Sequence, residues 1–255
     1  MTVRKLQVLF LGQNNNMDRG KMAFGTPNGK LVTTPFLSFY IQTDDKNILF
    51  DTGMHPDNAA FCRSNGMDTV VREEDDLPNR LKEVTGLTLE DIDLVILSHL
   101  HRDHTGYLGQ FPNAEVVVQK EDYAAGVVEP APYYQPITPL PKYAERDVKW
   151  RIIDGDTVLE PGLAVLLTPG HTKGSQTLMV DLPESGTIML TADAFLDLEC
   201  LEKEIIPGIY ADRGEALRTL RKIKVMAEVR GAKVFPSHDW ECYLNQIKKP
   251  PEAYT

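Results

Sequence analysis

Three imidazoles and a carboxylate crowd into the six residues His99-Leu100-His101-Arg102-Asp103-His104, which follow the apolar run Leu94-Val95-Ile96-Leu97 and Ser98. Side chains of these types cannot make a core by themselves, because a buried imidazole or carboxylate needs a partner. A divalent metal is the natural one. Zinc takes His nitrogen and carboxylate oxygen, and a catalytic site keeps one position open for water. Adding His171 and His238 brings five of the six histidines into the same pattern, while His55 matches no ligand position and reads as a solvated loop histidine.

The elements around these residues share one arrangement. His171 follows the apolar run 163–167 through Thr168-Pro169-Gly170, Asp193 follows 188–191, and His238 follows 233–235 through Pro236-Ser237. Each candidate ligand therefore stands just past the C-terminal end of a predicted strand, as the His99 cluster does after 94–97. In layered sheet folds that rim is where binding loops gather. Further strands are expected at 6–11, 36–42, 48–50, 116–119 and 177–181. The turn and capping signals predict a helix over about 78–84, with Asp76 as its cap and Gly86 beyond its end, and a helix start over 88–91. The clearest helix runs over 212–229, with Leu217, Leu220, Ile223 and Met226 at core spacing and Arg218, Arg221, Lys222 and Arg230 on a solvated face.

Length and composition bound the class. The 255 residues are 42% hydrophobic and 25% charged, an ordinary soluble composition for one large domain or two small ones. A net charge of -10 argues against nucleic-acid and anionic-membrane partners, which need a cationic surface. The N-terminal apolar stretch is too short to span a bilayer and reads as a first strand with no signal segment. Cys62, Cys200 and Cys242 have no metal-type spacing and suit free thiols in a reducing cytoplasm. The proline-rich segment 129–141 separates ligands that must meet in space, so it is a loop within one domain; it reads as a surface arm or a subunit contact, which leaves a homodimer open, or else as a lid.

The motifs also carry a resemblance. Ser98-His99-Leu100-His101-Arg102-Asp103-His104-Thr105-Gly106 resembles the hallmark of the metallo-beta-lactamase superfamily. Thr168-Pro169-Gly170-His171-Thr172-Lys173-Gly174-Ser175, Thr191-Ala192-Asp193-Ala194 and Ser237-His238-Asp239 resemble its later motifs in order, and Phe50-Asp51-Thr52-Gly53 its early strand-turn. The likeness covers nearly the whole chain. It implies an α/β fold in a single domain over 1–255, an αββα sandwich of two mixed sheets with helices on both outer faces and metals at one edge. By the same resemblance His99, His101 and His171 hold one divalent ion, Asp103, His104 and His238 hold a second, and Asp193 bridges them. His and carboxylate ligands suit zinc and also admit iron, manganese or cobalt. Asp51 is expected to accept a hydrogen bond from a ligand imidazole, or else to be a turn aspartate.

Within the superfamily, true beta-lactamases lack the bridging aspartate, the diiron flavoproteins usually carry glutamate where His101 stands, nucleases act on polyanions, and glyoxalase II adds a C-terminal helical domain. The chain is most similar to the N-acyl homoserine lactone lactonases, through its opening Met1-Thr2-Val3-Arg4-Lys5-Leu6, Phe50-Asp51-Thr52-Gly53-Met54, Leu89-Glu90-Asp91-Ile92-Asp93 and the short segment after His238. That likeness implies a small lactone as partner and ring opening by a hydroxide shared between two ions. The alternative is a related metallohydrolase for another lactone, ester or thioester. Asp103 either carries a proton to the leaving alkoxide or serves as a ligand alone. One departure stands out: the lactonase group has a tyrosine three residues after the bridging aspartate, and here Phe195-Leu196 occupies that wall. Tyr210 is a candidate to supply the missing hydroxyl, Met22 and Phe24, with Met17, are candidates for an acyl pocket or for ordinary packing, and Arg102 faces either the cleft or solvent.

Overall fold

Strand alternation sorts the apolar residues into three layers. The computed structural model describes residues 2–128 and 148–255, so the proline-rich segment 129–141 lies outside the described residues. Seven strands form one sheet: β1 (Val3–Asp18), β2 (Leu31–Thr43), β3 (Asn47–Phe50), β4 (Thr69–Val70), β5 (Leu94–Ile96), β6 (Glu115–Gln119) and β7 (Lys149–Ile153), in the order β4-β1-β2-β3-β5-β6-β7. Five form the other: β8 (Thr157–Glu160), β9 (Leu163–Leu167), β10 (Gln176–Leu182), β11 (Gly186–Ala192) and β12 (Lys233–Pro236), in the order β12-β11-β10-β9-β8. Both sheets are mixed. β3, β5, β6 and β7 pair in parallel beside the antiparallel β1-β2-β3, and β11-β12 is parallel beside the antiparallel β8 to β11.

Because successive strand residues face opposite sides, Ile48 and Phe50, Leu94 and Ile96, Leu178 and Val180, and Ile188 and Leu190 meet in a common inter-sheet core. Leu49, Val95 and Val116 point the other way, onto Ala59 and Cys62 of the helix Pro56–Ser64 and Leu77 and Leu81 of the helix Leu77–Thr85. Met179 and Met189 point outward from the second sheet onto Cys200 and onto Leu220 and Ile223 of the helix Arg213–Arg230. Each fully buried aliphatic or aromatic side chain contributes on the order of 1.5–3 kcal/mol, so the αββα layering is the arrangement that buries both faces of both sheets. No helix among the described residues is long and apolar enough to cross a membrane.

Several local expectations change. β4, β7 and β8 carry no strong apolar run in the sequence, and all three are sheet edges, where a strand is half solvated and holds charges such as Lys149 and Arg151. Asp76 stands at the cap position of its helix but makes no side-chain cap bond, Pro78 having removed one of the two N–H groups, those of residues 78 and 79, that such a cap uses. His55 is not a solvated loop residue. It caps the helix Pro56–Ser64, with Nδ1 accepting from the Asp57 N–H at 3.1 Å and its ring 5.0 Å from that of Tyr107. On the long helix the buried stripe is Ala216, Thr219, Leu220 and Ile223, with Leu217 and Met226 only half-buried. Lys222 is partly solvated and also tethered: its Nζ donates to Asp156 Oδ1 at 2.8 Å and to the Leu167 carbonyl at 3.0 Å, fastening the helix to the β8-β9 hairpin.

Candidate metal centre

β9, β11 and β12 run in one direction, as do β3 and β5, so the residues after them collect at one rim of the sandwich. Asp51 leaves β3 with φ 61, a left-handed backbone that costs a non-glycine residue about 1–3 kcal/mol. Its carboxylate shows what holds it there. Oδ1 accepts from the Ser98 N–H at 2.7 Å, and Oδ2 accepts from Ser98 Oγ at 2.8 Å and from His104 Nδ1 at 2.8 Å. On the opposite sheet Gly170, at φ 136, lets the turn before His171 lie against Ala216 of the long helix, where a side chain would meet backbone. The following loop is pinned by buried Asp122, whose two oxygens accept from the Gly174 N–H at 2.6 Å and Thr172 Oγ1 at 3.0 Å. Ala192, at φ 47, turns the end of β11 so that Asp193 enters the rim, where Ser237 Oγ donates to its Oδ1 at 3.0 Å.

The seven candidate ligands converge in two groups, His99, His101, His171 and Asp193 in one and Asp103, His104 and His238 in the other, with ligand atoms inside each group within 4.8 Å of one another. Asp193 spans both. Its Oδ2 lies 3.8 Å from His99 Nε2 and 3.3 Å from His171 Nε2, and its Oδ1 lies 3.3 Å from His104 Nε2 and 3.2 Å from His238 Nε2. Asp103 Oδ2 sits 3.4 Å from His238 Nε2 and 3.8 Å from His104 Nε2.

The donor chemistry fits a metal pair. His171 Nδ1 donates to the Ile209 carbonyl at 2.7 Å and His238 Nδ1 to the Pro35 carbonyl at 3.0 Å, so in the neutral rings each Nε2 turns a lone pair inward. Fully buried His99 Nε2 has no hydrogen-bond partner, and His101 Nδ1 and His171 Nε2 face each other at 2.9 Å. Burial and the neighbouring imidazoles push His99 well below its ordinary pKa and His101 down to about 3, which keeps them neutral and available as ligands. Burial opposes charge on His104 and His238 too, yet Asp193 and its fellow carboxylates outweigh it, raising His104 and carrying His238 up to about 10. Burial likewise favours a protonated Asp193, but His238 and His104 hold it well below the usual carboxylate range. Carboxylates concentrated among buried imidazoles call for positive charge between them, which a divalent ion supplies.

A cavity of about 690 Å³ opens on this centre, with His101, Asp103, His171, Asp193 and His238 on its floor. Its walls are largely apolar, with Met17, Met22, Phe36, Met54, Phe195 and Leu196 among them. Among the candidates, Met22, Phe195 and Leu196 line it. Phe24 and Tyr210 do not: they pack on each other outside the cavity, ring centroids 5.8 Å apart, and Arg213 lies over Phe24 at 4.6 Å. Ile209 lines the cavity and binds His171 through its carbonyl, which leaves its neighbour Tyr210 directed outward. Arg102 is in the cavity wall and not in solvent, 7% exposed, its guanidinium 4.8 Å over the Phe61 ring and its Nη1 3.6 Å from Cys62 Sγ. Ser98 and Ser237 stand in the motifs without a role legible there, and Asp122 carries no spacing signal at all; only their contacts with Asp51, Asp193 and the 172–174 loop reveal what they do.

The chain belongs to the metallo-beta-lactamase superfamily, whose family model matches residues 36–241. More particularly, it is similar along almost all of its length to N-acyl homoserine lactonase AiiA of Bacillus thuringiensis subsp. kurstaki, with 32% identity over 249 residues covering 94% of this chain and 95% of the relative. A solved N-acyl homoserine lactone hydrolase, with the product N-hexanoyl-L-homoserine at its catalytic metal centre, is similar at a TM-score of 0.88 and 30% identity, covering 99% of this chain and 100% of the other. The dizinc quorum-quenching lactonase AidC, at 20% identity and a TM-score of 0.71 over 99% of this chain and 96% of its own, shares the fold.

Proposed function

We propose that this protein is a metal-dependent hydrolase that opens the lactone ring of N-acyl homoserine lactones. The observation that carries the reading is one juxtaposition: a carboxylate reaching two histidine groups on the floor of a largely apolar cavity. Similarity to the lactonases over nearly the whole chain supports the substrate class. His99, His101 and His171 would hold one divalent ion, Asp103, His104 and His238 a second, with Asp193 shared, and zinc is the ion we assign. When bound, such a pair supplies a Lewis-acidic charge that makes water a nucleophile near neutral pH and polarises an ester carbonyl.

The chain's own residues do the rest. Asp51, the Ile209 carbonyl and the Pro35 carbonyl fix the orientation and tautomer of His104, His171 and His238, so the ligands need no reorganisation. Asp103, whose side chain is 19% exposed and lines the cavity, would accept a proton from the attacking water and return it to the ring oxygen as the acyl C–O bond breaks, the alternative being service as a ligand alone. The products are a carboxylate and an alcohol, with one proton released. Phe195 and Leu196 offer only apolar surface to the ring, so no phenol assists the oxyanion from that wall.

Three buried free thiols suit a reducing, cytoplasmic setting, and a net charge of -10 suits a small neutral substrate better than nucleic acid. The test is mass spectrometry of N-hexanoyl homoserine lactone incubated with zinc-loaded protein. Gain of one water with the acyl chain retained, abolished by a chelator, is the expected result. Release of free hexanoate would make the protein an acylase. Turnover of another lactone, ester or thioester but of no homoserine lactone would shift the assignment to the broader class that Leu196 admits.

A further inference from the structure

We propose, on the metal reading above and whichever lactone is opened, that Gly208 is a positioning residue of the centre: it lets the segment carrying Ile209 lie backbone to backbone against residues 21–24, and that contact aims the Ile209 carbonyl at His171. His171 Nδ1 donates to this carbonyl at 2.7 Å, so the place of the oxygen decides where the Nε2 lone pair points. Ile209 itself belongs to no helix or strand. It lies in the connection between the helix Leu198–Glu202 and the helix Arg213–Arg230, and no ladder of its own fixes it there.

The connection leans instead on residues 22–24. The Gly208 N–H donates to the Met22 carbonyl at 2.8 Å, the Phe24 N–H donates to the Ile206 carbonyl at 3.0 Å, and Ala23 and Pro207 form an antiparallel bridge between these two bonds. Gly208 does not take a left-handed backbone, so conformational freedom does not account for a glycine there. Space does. A Cβ at 208 would collide with the Lys21 carbonyl oxygen and stand 2.6 Å from the carbon of that carbonyl and 3.1 Å from the Met22 nitrogen, all of them backbone atoms that cannot swing aside as a side chain would. Any side chain at 208 must push the two segments apart. The 19–24 segment has little room to retreat, because Arg19 at its other end is buried and ion-paired with Asp197 and, at 2.9 Å, with Glu199. The displacement therefore falls on 208 and on the carbonyl one residue beyond it. Both segments also wall the cavity, Met22 from one and Pro207 and Ile209 from the other, so the same pairing that shapes the pocket orients a ligand.

The experiment follows the histidine ring protons by NMR, in protein isotope-labelled at the ring nitrogens, together with zinc titration of metal-free protein, in wild type, Gly208→Ala and Arg19→Met. Three ring N–H groups report separately, His104 donating to Asp51, His171 to the Ile209 carbonyl and His238 to the Pro35 carbonyl. In Gly208→Ala the His171 ring proton should exchange with water about tenfold faster, the worth of one net hydrogen bond, while those of His104 and His238 keep their wild-type rates. One of the two zinc ions should bind about tenfold more weakly and the other as in wild type. Arg19→Met frees the same segment from its other end without adding bulk, and should move the same proton and the same ion in the same direction. Should Gly208→Ala lose the fold by circular dichroism, Arg19→Met decides by these readings. Wild-type exchange and affinity in the folded variant, or equal changes at all three histidines, overturns the proposal and leaves Gly208 a packing residue. A wild-type protein that takes up no zinc fails the metal reading, and the proposal with it, a result distinct from wild-type affinity at both sites of the variants.

Discussion

Asp51→Asn separates the electrostatic role of this aspartate from its backbone role, because asparagine tolerates the left-handed conformation about as well as aspartate and φ 61 costs the variant nothing extra. What changes is acceptor capacity. The carboxylate takes three donors, the Ser98 N–H, Ser98 Oγ and His104 Nδ1, on two oxygens. An amide keeps one oxygen and turns an NH2 toward the remaining donors, so at least one buried contact becomes donor against donor. Removing a carboxylate that orients a ligand histidine typically costs about 10–100-fold in metal affinity. The loss should fall on the group containing His104, with His99, His101 and His171 retaining their ion. The assay is zinc titration of metal-free protein against a chromophoric chelator, with bound metal counted by elemental analysis and the fold followed by circular dichroism. Two sites of wild-type affinity in the variant would refute the reasoning, as would loss of both ions together with the fold.

Tyr210→Phe should leave turnover within about twofold, since the ring packs on Phe24 outside the cavity, whereas one oxyanion donor is worth on the order of 100-fold; a large loss in steady-state kinetics would put the hydroxyl at the centre after all. Leu196→Tyr, at the cavity wall, should raise kcat on homoserine lactones without changing metal content. Burial works to raise the Asp197 carboxyl, but its bonds to Arg19 and the Cys200 N–H hold it below its ordinary value. A depressed carboxyl contributes stability that is complete above its unfolded pKa and is lost as pH falls through the folded one. The difference in unfolding free energy between wild type and Arg19→Met should therefore shrink from about pH 6 to about pH 3, and a constant difference in denaturant melts would exclude the pair as its source.

The convergence of the candidate ligands was legible because chemistry and periodicity coincide: His99, His171, Asp193 and His238 each follow an apolar run at a strand end, and β9 matches the expected 163–167 residue for residue. Central strands announce themselves through continuous burial on two faces. Edge strands such as β7, which reads Lys-Trp-Arg-Ile-Ile, do not, because one side meets water and tolerates charge. The supporting residues were illegible for a different reason. Nothing local distinguishes Asp122 from any surface aspartate; its role comes from a loop 50 residues away in the chain. Tyr210 lies outside the cavity lining, packed on Phe24, because residue type alone carries no direction and the carbonyl of Ile209 is turned to His171.

Each half of the centre draws donors from both sheets: His99 and His101 follow β5 of one while His171 and Asp193 follow β9 and β11 of the other, and His104 meets His238 across the same seam. A bound ion is then a rivet as well as a reagent. Joining His101 to His171 closes a loop of 70 residues, a constraint on the unfolded chain worth about 4 kcal/mol by the accounting used for covalent cross-links. The bonds that would orient a carbonyl for attack are the bonds that keep the two layers from sliding apart at that edge. Wear at the rivet, from a weakened ligand or a scarce metal, would first register as play in the seam, and a seam with play misplaces every group that the reaction depends on.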